Sequence, residues 1–229
     1  YDLKLPEEGD RWASRVYALA PNSAIARKMQ MLAALARDDR EETLRLCKAI
    51  IEDRIDNRRG SFTDAVFTYG SLMMMENRSQ EAYDYLVSQD PSITDFSVLA
   101  EGPHAGSLQG IAGMVKLDFA SREELIADWE ATKTAMEAAD LPWTENEWNR
   151  LSDRYVRGDY DEAASILINE IWSKPLATYI GRSSDLENVS MRELLNRPDV
   201  IAAKAQRDEE FMLARAEVQE MLLSPEWNE

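Results

Sequence analysis

Four short segments of this chain resemble one another, and no other feature restricts the fold as tightly. They are Asp39-Arg40-Glu41-Glu42-Thr43, Arg78-Ser79-Gln80-Glu81-Ala82, Ser121-Arg122-Glu123-Glu124-Leu125 and Tyr160-Asp161-Glu162-Ala163. Aligned on their last Glu, at positions 42, 81, 124 and 162, they recur at spacings of 39, 43 and 38 residues. Recurrence at that period signals stacked units, none of which can bury its apolar face alone. Each segment follows a polar break, at Asp38-Asp39, Asn77-Arg78, Ala120-Ser121 or Gly158-Asp159, and opens a run with helical apolar spacing. Four residues beyond Thr43, Ala82, Leu125 and Ala163 stand Cys47, Leu86, Trp129 and Leu167, the i, i+4 stripe of a buried helix face. Twelve residues before the same anchors stand Met31, Gly70, Gly113 and Leu151; two glycines there suit a close helix–helix approach. Breakers at Gly60-Ser61, Asp90-Pro91 and Lys174-Pro175 separate the units.

Composition agrees with an all-α chain. Only 9 Gly and 8 Pro occur in 229 residues, while good helix formers abound and runs of Val, Ile and Thr are scarce. The 26 basic and 43 acidic side chains give a net charge of −17. That balance argues against direct binding to a nucleic-acid backbone or an anionic membrane surface. No uncharged apolar run approaches the length of a membrane span. The start, Tyr1-Asp2-Leu3-Lys4, lacks a signal peptide. It suggests a processed protein or an excised domain, and the cytoplasm is the compartment marginally favoured. The expected organisation is the end of a preceding helical unit in residues 1–21, four hairpins in 22–175, and a linker with a long capping helix in 176–229. In that last segment Phe211, Ala214, Val218 and Met221-Leu222 form one stripe, which could also pair two copies as a homodimer.

The last unit, Tyr155-Val156-Arg157-Gly158-Asp159-Tyr160-Asp161-Glu162-Ala163 with Pro175 at its end, resembles the tetratricopeptide repeat. The second unit resembles it through Gly70, Glu81-Ala82 and Leu86; the first and third match only in helical pattern. Trp148 falls one place from the family's usual aromatic, and the period exceeds that family's roughly 34 residues. The resemblance implies a right-handed α-α superhelix, a solenoid of four degenerate hairpins whose first helices line a concave, peptide-holding face. A partner-binding surface is then expected at Trp143, Trp148, Arg150, Arg154 and Tyr155, with Trp148 stacking and Arg150 pairing a carboxylate. Convergence of Arg27, Lys28, Arg150 and Arg154 on that face would imply an acidic ligand. In layout the chain looks similar to sensory or regulatory tails of bacterial signalling proteins, which follow a winged-helix or nucleotide cyclase domain. The partner would be a protein, a peptide or an adjacent domain of the same chain.

Catalysis finds little support. His104, the only His, lies in Glu101-Gly102-Pro103-His104-Ala105-Gly106-Ser107, read as a polar loop with Ser107 capping the helix that follows. Gly102, Gly106 and Gly110 are not followed by the Lys-Ser/Thr pair of a phosphate loop. Cys47, the only Cys, sits at a core-facing position, where a thiol is inert. Of Met73, Met74 and Met75, two belong in the core and one near the surface. The acidic clusters at Glu7-Glu8-Asp10, Asp38 to Glu42, Asp159 to Glu162 and Asp208 to Glu210 lack the alternation of a calcium loop. They read as solvated carboxylates, three of the four at helix starts. A non-catalytic scaffold without cofactor or metal is therefore expected. The alternative is a small-ligand receptor or enzyme with its pocket near residues 101–107, Trp143 and Trp148.

Overall fold

In the computed structural model, residues 6–55, 60–99, 102–141, 147–173 and 191–222 are described. Trp143, Pro175 and most of the expected linker lie outside them, as does the side chain of Trp148. The described residues form eleven α-helices and no strand. These are α1 (Pro6–Leu19), α2 (Ala24–Ala36), α3 (Arg40–Glu52), α4 (Ser61–Met75), α5 (Ser79–Gln89) and α6 (Gly102–Lys116). After them come α7 (Arg122–Ala138), α8 (Glu147–Arg157), α9 (Tyr160–Ile166), α10 (Arg192–Leu195) and α11 (Pro198–Leu222). A single 3-10 turn, Pro91–Thr94, follows α5, and α9 runs on through a π turn at Leu167–Ile171. No described helix is long and apolar enough to cross a membrane.

The polar breaks are repeated helix reversals. Asp38, Asn77 and Gly158 take left-handed backbone angles, with φ of 55°, 58° and 81°. The next amide in each case donates back to the carbonyl five residues earlier: Asp39 to Ala34, Arg78 to Met73 and Asp159 to Arg154, at 2.8–3.0 Å. This reversal satisfies the orphan carbonyls at a helix end and turns the chain within two residues. Asp39 and Asp159 then cap the following helices, accepting from the amides of Glu42 and Glu162. The aligned Asp and Glu residues thus mark helix starts.

Burial follows the anchors in three units of four. Met31, Leu151, Cys47, Leu86, Leu167, Thr43, Ala82 and Ala163 are all interior. Met73 and Met74 are buried and Met75 is 37% exposed, as the sequence leads one to expect. In the third unit Leu125 and Trp129 are only half-buried, and α7 has no buried residue. Its preceding turn has no left-handed residue, and the Ala120 amide bonds instead to Lys116. Polar links hold α7. Lys116 of α6, itself buried, bonds to Asp128 and Glu124; Arg157 of α8 bonds to Glu130; Arg122 bonds to the Tyr160 hydroxyl.

Two apolar cores result. The first gathers Met31, Ile50, Phe62, Tyr69, Leu86 and Leu108 from α2 to α6. The second gathers Leu151, Tyr155, Ile166, Ile171, Leu194 and Val200 from α8 to the start of α11. Leu117, just after α6, packs against the second core, and Arg192 of α10 donates to the Met74 carbonyl (3.0 Å) and the Asn77 side chain (2.9 Å) of the first half.

Candidate functional site

Helices α2, α4 and α6, the first helices of three successive hairpins, pack side by side at a nearly constant register. Between α2 and α4, Ser61 Oγ donates to the Ala24 carbonyl at 3.3 Å and Lys28 pairs with Asp64. Between α4 and α6, the Thr63 and Ser107 hydroxyls lie 2.8 Å apart, and the Phe62 and His104 rings have centroids 4.2 Å apart. Farther along, Gly70 permits the close approach its spacing suggests: a Cβ there would stand 2.5 Å from Ile111 Cγ2 and 3.4 Å from Val115 Cγ1. The open side of this layer carries exposed Thr63, Gly106 and Gly110 beside half-buried Lys28, Phe67 and Ile111. A Cβ at Gly110 would meet nothing within 4 Å.

This surface is mixed in polarity, and its Lys28 is paired with Asp64. Its reactive groups are engaged. The His104 ring packs on Phe62, and Ser61 and Ser107 spend their hydroxyls on neighbouring helices. Cys47 lies in the first core, where burial pushes its thiol pKa up, away from the thiolate a nucleophile needs. Among the described residues no group of three or more His, Cys, Asp or Glu could hold a metal ion.

One expectation changes. Residues 102–107 are helical rather than a loop, because α6 begins at Gly102. Pro103 is tolerated in the first turn, where its missing N–H has no intrahelical role, so Ser107 falls inside the helix instead of capping it. The four basic residues considered for that face each stand in an ion pair. Arg27 pairs with Asp53 at 2.7 Å, Lys28 with Asp64, Arg150 with Glu170, and Arg154 lies 3.9 Å from Asp159. In a chain with this excess of acid, each cation finds a local carboxylate.

Of the expected contact residues, Tyr155 is 7% exposed within the second core and donates its hydroxyl to Glu193. Burial, together with that carboxylate, pushes its phenol pKa up. Arg150 and Arg154 stand on α8 in the pairs above, Trp148 belongs to the first turn of α8, and Trp143 lies outside the described residues. Thr63, Phe67, Gly106 and Gly110 were not singled out from sequence as contact residues. The signal available for α6 was the recurrence of Gly102, Gly106 and Gly110 at every fourth position, one helix face once the segment is helical. No protein-family model matches this chain, and neither the curated proteins nor the solved structures compared with it give a match.

Proposed function

We propose that this chain is a non-catalytic helical-repeat scaffold of the tetratricopeptide-like kind. In this reading its hairpins stack as a right-handed superhelix, and the side shared by α2, α4 and α6 holds a protein or peptide. The scaffold would serve as a regulatory or sensory part of a larger signalling protein. The observation that carries the reading is the register of that layer. Contacts pair residues 24 with 61, 28 with 64, 62 with 104 and 63 with 107, each within three residues of the position one repeat further on, so corresponding stretches of successive first helices meet. The repeated left-handed reversals at Asp38, Asn77 and Gly158 support the same reading.

Gly110 supplies the test, because its open surroundings accept a side chain and an arginine there has the better helix propensity. A random peptide library displayed on phage would be selected on the immobilised chain. The selected peptides would then be titrated against wild type and Thr63→Arg/Gly110→Arg. Loss of about tenfold or more in affinity, with helicity by circular dichroism unchanged, is the expected result. Equal affinity for both proteins would place peptide binding elsewhere and overturn the assignment of this face.

A further inference from the structure

Helix α11 carries apolar residues on two sides. Val200 on one side belongs to the second core, and Arg207, seven residues on and so on that same side, donates to the Trp172 carbonyl at 2.5 Å. Phe211, Ala214 and Val218 continue this side and are half-buried. They are most of the stripe expected to pair two copies, and they are not the open side of the helix. Met212 and Leu213 point the other way, 57% and 61% exposed. Ala202, Ala205, Glu209, Ala216 and Glu220 are exposed with them, following one another at spacings that keep one helix face. A helix with apolar residues on both sides is characteristic of one with neighbours on both sides.

Charge divides around the helix in the same way. Over its whole length α11 has six acids and three bases. The bases, Lys204, Arg207 and Arg215, are all half-buried and share the side of Phe211. Two of the acids are paired, Asp208 with Lys204 at 2.7 Å and Asp199 with Arg197 at 3.1 Å. The other four, Glu209, Glu210, Glu217 and Glu220, are all exposed. The open face therefore sets Met212 and Leu213 among glutamates and contains no base from one end of the helix to the other. From Ala202 to Glu220 it runs for about 27 Å.

We propose that this face of α11 docks a basic amphipathic helix of a partner protein. The partner's apolar stripe seats on Met212 and Leu213, and its lysines or arginines lie beside Glu209, Glu217 and Glu220. Charge complementarity selects that occupant. A second copy of this chain would set the same glutamates against one another, and an anionic membrane surface or a nucleic-acid backbone would repel them. The unbranched Met212 side chain adapts to an apolar partner, and the alanines at 202, 205 and 216 let a second helix come close. The face shares no residue with the side formed by α2, α4 and α6, so each surface is tested by its own variants.

Fluorescence anisotropy with three labelled synthetic peptides of about four helical turns tests the proposal. One is built of Leu and Lys with a helical period, one of Leu and Glu with the same period, and one has the Leu/Lys composition in scrambled order. The full chain is expected to bind the periodic Leu/Lys peptide and neither of the others. Met212→Ser/Leu213→Ser should weaken that binding about tenfold. Glu209→Lys/Glu217→Lys/Glu220→Lys should lose the Leu/Lys peptide and bind the Leu/Glu peptide instead, a gain that misfolding would not produce. Absence of binding by wild type, equal binding of the scrambled peptide, or unchanged affinity in either variant would overturn the proposal. So would loss of binding in Thr63→Arg/Gly110→Arg, which would move the site to the other face. Sedimentation velocity adds one further outcome: self-association that Met212→Ser/Leu213→Ser abolishes would make a second copy the occupant and overturn the choice of partner.

Discussion

Lys116 is the one charged residue that is buried among the described side chains. Its ammonium lies 5.4 Å from the Phe96 ring centre and 5.9 Å from that of Tyr83, and it bonds to Asp128 and Glu124. Burial alone would lower its pKa, but the hydrogen bonds it donates to the two carboxylates outweigh burial and raise it above the usual lysine value. A raised lysine pKa stabilises fully below the unfolded pKa, and that contribution is lost as pH rises through the folded value. Asp128→Asn should therefore cost about 1–2 kcal/mol near neutral pH in urea unfolding, and the difference from wild type should shrink as pH rises beyond the ordinary lysine range. A constant difference across that range would count against the ion pair. Nothing in the sequence marks Lys116, because a lysine in the last turn of a helix ordinarily reads as solvated. Asp38, Asn77 and Gly158 were legible as breaks, since such residues tolerate the left-handed turn that reverses the chain.

At the scale of elements, the two exposures of glycine on α4 and α6 predict opposite outcomes. Gly70→Ala should destabilise by about 1–3 kcal/mol despite alanine's better helix propensity, because the new methyl would press on Ile111. Gly110→Ala, which meets open space, should stabilise by up to about 1 kcal/mol. Thermal unfolding of the pair checks both signs, and a Gly70→Ala protein as stable as wild type would show that α4 and α6 approach less closely. Helix positions, the anchors of the first, second and fourth units and the destination of the methionine triplet were readable from apolar spacing. The third unit was not. Leu125 and Trp129 follow the same spacing as their counterparts, yet periodicity reports which residues share a face and not whether a neighbour arrives to cover it. The glycines of residues 102–106 misled in another way: their low helix propensity suggested a loop, and packing of His104 on Phe62 accompanies a helix there.

For the whole molecule, four similar repeats led to an expectation of one continuous stack; the buried apolar residues gather in two clusters, linked by Leu117 and by polar contacts. Arg192 is the longest-range of these contacts, tying α10 of the second core to the reversal after α4. Its side chain is half exposed, so Arg192→Ala should cost roughly 1 kcal/mol or less in global stability. Hydrogen exchange should show its effect more clearly, with faster exchange in α10 and at the Asn77 turn and unchanged protection in α2 and α3. Protection unchanged at α10 would mean that Leu194 and the Tyr155–Glu193 hydrogen bond secure it. The basic residues of α2 and α8 could not be assigned to a shared surface from sequence, because their partners Asp53, Asp64, Asp159 and Glu170 are fixed only by tertiary packing.

Helix α7 bridges these two halves through Lys116, Arg157 and Arg122 without burying a residue of its own. Under a stretching force applied at the chain ends, apolar cores yield only when many contacts fail together, whereas a handful of polar links can fail singly. The molecule should therefore part first at α7, lengthening by one helix at low tension while both cores stay folded, and so behave as two rigid bodies on a short extensible spring.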